Sequence, residues 1–276
     1  MQPAAIIDLP KQQRARGKIA VSAICDESGL SRLKSLRQEG SFKSVFPRKT
    51  RGKVEAVIVN TAGGITGGDE FSSSIAVHEG ASVSVTTQAA ERIYRASASE
   101  AGVVTTALSV EENGHLFWIP QETILFEGAR LKRTLNAEVH ATAKFLMLEP
   151  LVFGREASGE TIRNASVQDS VSISSNGIPL YLDKVKLKGD LSEIIERSGV
   201  ASAARAMASL VFVDRHAADK LIAVRQCLPL SGGASLLAEN VMVIRLLSVD
   251  SFVLRRTLLP ILDILTDHMV PKNWRL

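Results

Sequence analysis

The segment Asn60-Thr61-Ala62-Gly63-Gly64-Ile65-Thr66-Gly67-Gly68-Asp69-Glu70 sets four glycines ahead of two carboxylates, directly after the strand-like run Val54 to Val59. Gly63 and Gly68 have the outer spacing of a phosphate-binding P-loop, but Asp69 and Glu70 stand where that loop needs Lys followed by Ser or Thr. Two carboxylates there repel a triphosphate. The loop therefore suggests close backbone packing, or contact with a cation or a basic partner, in preference to nucleotide chemistry.

Glu149 draws attention because it ends the apolar run Phe145 to Leu148, where a lone carboxylate is costly to bury. The segment continues Pro150-Leu151-Val152-Phe153-Gly154-Arg155 and reaches Gly159-Glu160, so Arg155 is the nearest candidate partner for Glu149. A structural ion pair and a metal role both remain open for these acids. Glycoside hydrolysis by paired carboxylates ranks low, since two Trp and two Tyr are few for sugar platforms. Nucleophilic catalysis finds no support either. There is no GxSxG elbow, and Cys25 and Cys227 are isolated, without zinc spacing. His78, His115, His140, His216 and His268 lie in separate elements with no HxxxH or HExxH, and read as ordinary strand or surface residues.

The composition of the 276 residues narrows the class of protein. Hydrophobic residues are 45% and aromatics 5%, with a mean hydropathy of +0.11, so part of the apolar surface is expected to meet a partner. Lys and Arg number 33 against 29 Asp and Glu, a small net charge of +4. Basic residues cluster from Lys11 to Lys18 and from Arg48 to Lys53, without interleaved aromatics, and read as solvated faces with no nucleic-acid partner. Met1 to Pro10 is too short and too polar for a secretory signal, and no run of about 18 uncharged apolar residues suggests a membrane span. Reduced thiols in a cytosolic protein are the simplest account of the cysteines.

These groups need elements to hold them. From Arg16 to about Leu187 the pattern is mostly period two, with turn residues at short intervals. Ala81 to Thr86 alternates as a strand with one buried face should. Val103–Val110 and His115–Ile119 flank Asn113-Gly114, and Val167–Ser174 and Ile178–Leu187 flank Asn176-Gly177; both arrangements predict hairpins. Beyond them, Arg215–Cys227 suits an amphipathic helix ended by Pro229, and Val241–Leu247 a buried strand. Asp250 or Ser251 can cap a last helix whose apolar stripe is Phe252, Leu254, Leu258, Leu259, Ile261, Leu262 and Leu265, with a kink expected at Pro260. No linker divides the chain, so a single body is expected, β-rich to about residue 190 and α+β from about 191 to 276.

Four ordered segments, NTAGGITGGD at 60–69, TTQAAERIYR at 86–95, WIPQETILFEGA at 118–129 and LVFGREASGE at 151–160, resemble the UreD (UreH) family of urease accessory proteins. The ending Pro271-Lys272-Asn273-Trp274-Arg275 fits the same pattern. Gly63, Gly64, Gly67, Gly68, Tyr94, Pro120, Gln121, Gly154, Arg155 and Gly159 are the motif positions expected to be structural. The resemblance implies a mainly β fold of stacked sheets, β-helix-like or sandwich-like, with two α-helices in a smaller α+β C-terminal portion. It also implies a cytoplasmic scaffold without turnover, which binds UreF, reaches the GTPase UreG through UreF, and docks on apo-urease.

By the same resemblance no cofactor is held permanently, and Ni²⁺ passes in transit along acids at Asp69, Glu70, Glu149, Glu160 and Asp183. Glu91 is a further acid, at a position where other members carry a small uncharged residue. Thr61-Ala62 replaces a Pro pair seen in some members, a change expected to alter loop stiffness. Carboxylates suit a conduit, because nickel binds imidazole and thiolate tightly enough to be trapped. Two alternatives stand beside this reading: a nucleotide- or phosphate-handling protein using the Gly63–Gly68 loop, and a structural adaptor whose acids are ordinary salt bridges.

Overall fold

Short strands with one residue in two turned inward can be wound into layers, and the chain does this in a computed structural model describing residues 13–47, 52–97, 99–155 and 159–275. Met1 to Pro10 and parts of both basic runs lie outside the described residues. The N-terminal strands are β1 (Arg16–Cys25), β2 (Ser31–Gly40), β3 (Phe42–Val45) and β4 (Val54–Asn60). Then come β5 (Glu70–Val77), β6 (Ser82–Thr87), β7 (Glu91–Ile93), β8 (Gly102–Val110), β9 (His115–Trp118), β10 (Thr123–Leu125), β11 (Arg130–Val139), β12 (Lys144–Phe153), β13 (Ala165–Ser175) and β14 (Ile178–Gly189). From β4 to β13 the chain alternates between two sheets, so that β4, β6, β9 and β12 stack in parallel in one and β5, β8, β11 and β13 in the other. This is a β-helix-like winding. Short strands β7 and β10 bridge its third side, where β10 pairs with both β7 and the second half of β12.

The seven-stranded sheet runs β14-β13-β11-β8-β5-β1-β2 and is closed at each edge by an antiparallel strand. The other sheet continues into the C-terminal portion, where β12 pairs with β15 (Ala206–Val213), β15 with β17 (Val241–Ser248), and β17 with β16 (Gly232–Ala238). Helices α2 (Ala217–Cys227) and α3 (Ser251–Thr266) belong to this portion, preceded by a short α1 (Leu191–Glu196) beyond the two helices expected. Asp250 caps α3 by accepting from the amide of Val253, as its side-chain type suggests. Leu254, Leu258, Ile261, Leu262 and Leu265 are buried, and Pro260 faces solvent within a continuous helix. Phe252 does not join the stripe; it is exposed at the first turn of α3.

Two of three local expectations are corrected by the layering. Asn113-Gly114 turns the chain from β8 into β9, which lie in different sheets, so the predicted hairpin is a corner between layers. Asn176-Gly177 does close a hairpin, with both residues at positive φ between the antiparallel β13 and β14. In β6, Ser84 and Thr86 are as buried as Val83 and Val85. The reason is that one apolar core fills the space between the sheets, while a second core and the C-terminal turn carrying Asn273, which bonds Thr86, cover the opposite face of the larger sheet.

Candidate functional site

The glycine loop joins β4 to β5 and is held closed by its own atoms. Asp69, 4% exposed, accepts from the amide of Ala15 at 2.8 Å through Oδ1 and from that of Thr66 at 2.8 Å through Oδ2. Other loop amides are also engaged: Ala62 donates to Asn60 Oδ1, Gly63 to the Asn60 carbonyl, Ile65 to that of Arg92, and Gly68 to that of Ala101. A phosphate cradle needs such amides free and a helix behind them; here most are engaged and a strand, β5, follows the loop. Gly64 is required for packing, since a Cβ there would meet the Tyr94 ring at 2.2 Å. Tyr94 in turn stands edge-on to Phe126 and donates to the Gly63 carbonyl at 3.3 Å.

The other acids of the expected path are dispersed. Glu70 is exposed, 3.9 Å from Arg16. Glu160 bonds Arg155 at 3.1 Å and accepts from the amides of Glu127 and Arg155, and although burial raises its carboxyl, these hydrogen bonds outweigh burial and hold it low. Asp183 pairs with Arg245, which also reaches Tyr181, at the edge where the two sheets end. Arg155 is thus committed to Glu160 and is not the partner of Glu149.

Glu149 lies across the inner space from Arg133 of β11, whose guanidinium approaches it at 2.5 Å. The opposite fork of Arg133 grips Asp169 of β13 at 3.0 and 2.6 Å, and Nη1 donates to Thr123 at 3.2 Å. Trp118 Nε1 donates to Glu149 at 2.9 Å. Burial pushes the Glu149 carboxyl up, with Arg133 opposing; it also disfavours the charged guanidinium, yet Glu149 and Asp169 hold Arg133 protonated more firmly than usual. Two carboxylates on one guanidinium leave the trio one negative charge when all are ionised.

Arg133 and Asp169 escaped the sequence reading, although a signal was there. Each interrupts an inward apolar phase, Leu131-x-Arg133-x-Leu135 and Val167-x-Asp169-x-Val171, on strands that prove adjacent.

A cavity of about 80 Å³ opens beside this trio, with Glu91, Trp118, Gln121, Thr123, Arg133 and Glu149 among its walls. At about 30 Å³ per water that is room for two or three. A second space of about 130 Å³ shares the walls Phe42, Ile58, Thr87 and Glu91 and reaches Asn60, Gly63 and Arg92 beside the glycine loop. Glu91 stands at the junction. Its carboxylate accepts from Asn60 Nδ2 at 3.0 Å and from the Arg92 amide, and burial raises it. Asp69, Glu70, Glu160 and Asp183 do not line either space, and neither lining contains His or Cys. Among the described residues no cluster of three His, Cys, Asp or Glu is placed to hold a metal.

The 118–129 segment also ties the C-terminal helix to the sheet. Arg255 of α3 bonds Glu122 at 3.0 and 2.6 Å and Gln121 at 2.9 Å, while lying 5.1 Å from the Trp274 ring. Trp274, fully buried, donates to the Ile119 carbonyl, and Gln121 donates to that of Asn273. No helix among the described residues is long and apolar enough to cross a membrane.

Residues 15–275 match the model of the UreD urease accessory protein family. The chain is 43% identical over 265 residues to a urease accessory protein UreD of Roseobacter denitrificans, covering 96% of each. It is 45% identical over 244 residues to that of Ruegeria pomeroyi, covering 88% of this chain and 95% of the relative. The counterpart from Rhizobium rhizogenes is 38% identical over 277 residues, covering the whole of both.

Proposed function

Because the chain belongs to the UreD family of urease accessory proteins, we propose that it is a non-catalytic maturation subunit that links UreF, and through it UreG, to apo-urease in the cytoplasm and passes Ni²⁺ through the space between its sheets. The observation that carries the reading is the inner cavity, with Glu149 in its wall, Glu91 at its junction with the outer space, and no imidazole or thiolate among its lining residues. Nickel held by oxygen ligands alone leaves more readily than from nitrogen or sulfur, so such a site favours transfer over retention. Glu91 has amide donors but no ion-pair partner among the described residues, so an arriving dication would meet its carboxyl without displacing an arginine. With all three ionised, the Arg133–Glu149–Asp169 trio adds one negative charge at the inner end. Ni²⁺ is cargo on this route, and no permanently bound cofactor is needed.

The adaptor reading stays in play because Asp69, Glu160 and Asp183 are each occupied by ordinary partners. One pair of measurements separates the two. Glu91→Gln is expected to assemble with UreF and apo-urease as the parent does, while urease activation by added Ni²⁺ falls severalfold. Full activation by this variant sinks the passage and leaves the adaptor. Failure of the unaltered chain to co-purify with either partner sinks both.

A further inference from the structure

On the outer face of the seven-stranded sheet, Lys184, Lys186 and Lys188 of β14 alternate with the inward-facing Val185 and Leu187. Across β13, Lys186 is in register with Gln168 and then Lys132 of β11, and Lys188 with Ser166 and then Arg130. The cations therefore stand about 7 Å apart along β14 and about 10 Å apart across two strands. The Lys186 register runs on through Val103 and Glu70 to Arg16 on β1, and the Lys184 register through Ser170, Thr134, Thr105 and Ser72 to Lys18. The carboxylates among them are Glu70 and, opposite Lys18 on β2, Glu39. Seven cations against two acids make a local excess of five, larger than the formal +4 of the entire chain. Apart from Arg16 beside Glu70, none of the seven has an ion pair among the described residues.

Lysines on an exposed edge strand can serve only to block strand addition. That explanation covers β14. It does not cover Arg130 and Lys132, which lie two strands inside the sheet. The floor between the charges is small and polar, with Ser166, Gln168, Ser170 and Thr134 in the connecting registers and no aromatic pointing outward on which a base could stack. Separated point charges of this kind cannot converge on a single phosphate; five of the seven are lysines, which lack the guanidinium fork. They match carboxylates spread at similar intervals over a folded surface.

We propose that this outer face is a docking site for the acidic face of a protein partner, engaged by electrostatic complementarity over a flat sheet. The inference does not depend on nickel passing through the interior.

A labelled deca-glutamate peptide, standing in for the acidic face, tests it by fluorescence anisotropy on the full chain. Saturable binding that weakens as NaCl is added is expected. The double variant Lys184→Glu with Lys186→Glu should weaken it by about tenfold, whereas Lys43→Glu with Arg256→Glu, the same charge change elsewhere on the exposed surface, should alter it by less than about twofold. Lys132→Gln should weaken it as well, and an unaltered affinity there returns the lysines to edge protection and overturns the proposal. It is overturned equally by absence of saturable binding, by equal loss in both doubles, or by tighter capture of a length-matched RNA or of phosphatidylserine vesicles through the same lysines.

Discussion

Asp69 in the glycine loop and Glu149 in the cavity wall are 4% and 7% exposed, yet one is held by two backbone amides and the other by an arginine from the opposite sheet and an indole. The amide of Thr66, which serves Asp69, comes from the same turn, so that end of the arrangement forms wherever the turn forms. Glu149 acquires its partner only when β11, β12 and β13 have stacked in register across two layers. The loop acid lines neither inner space, whereas the cavity acids border a space that can take a guest. Equal burial of a carboxylate says little about its role; the source of its donors says more.

The largest effect that bears on this contrast should come from Arg133→Met. It leaves Glu149 and Asp169 facing each other in the interior without a cation, and should cost about 3–5 kcal/mol in urea unfolding. Adding Glu149→Gln to that variant should recover part of the loss, because the uncompensated charge goes with it. If Arg133→Met costs less than any change in the glycine loop, the trio is wetter than its burial implies and the contrast fails.

Asp69→Ala comes next. It strands the amides of Ala15 and Thr66, at about 2–4 kcal/mol together. Asp69→Asn keeps one good acceptor and should recover roughly half of that. Per folded molecule, neither change should reduce nickel delivery; a loss by Asp69→Asn with normal stability would return the loop to the path.

What could be read in the sequence follows the same division between local and distant causes. The Asp250 cap, the Asn176-Gly177 hairpin and the α2 and β17 segments were legible because each depends on residues within a few positions of one another. Asn113-Gly114 has the same turn chemistry, but whether a tight turn stays within a sheet or crosses to the next layer depends on which strands already flank it. Ser84 and Thr86 look wet by alternation and are dry because the second core and the C-terminal turn, whose Asn273 bonds Thr86, cover that face. Glu149 was recognisable as a costly burial, but nearness in sequence pointed to Arg155, which closes a short loop with Glu160 instead. Three of the four motif segments supply several of the cavity walls, and the pairing within them needed the winding.

Glu91→Gln is the smallest perturbation and the sharpest test of the contrast. An unfolded glutamate titrates near 4.5, and burial raises Glu91 in the folded chain, with the Asn60 hydrogen bond opposing. The folded state therefore holds this proton to higher pH than the unfolded state does. Folding takes up protons in the window above 4.5, so the stability contribution of Glu91 falls as pH rises through it, and ionised Glu91 is a net cost beyond it. Glutamine has no such titration. The variant should accordingly be the more stable of the two near neutral pH, with the gap closing as pH drops to 4.5 and below, measured as urea midpoints across that range. A variant less stable than the parent at neutral pH would mean that Glu91 is anchored as Asp69 is, and would remove the one cavity carboxylate that stands without a cation.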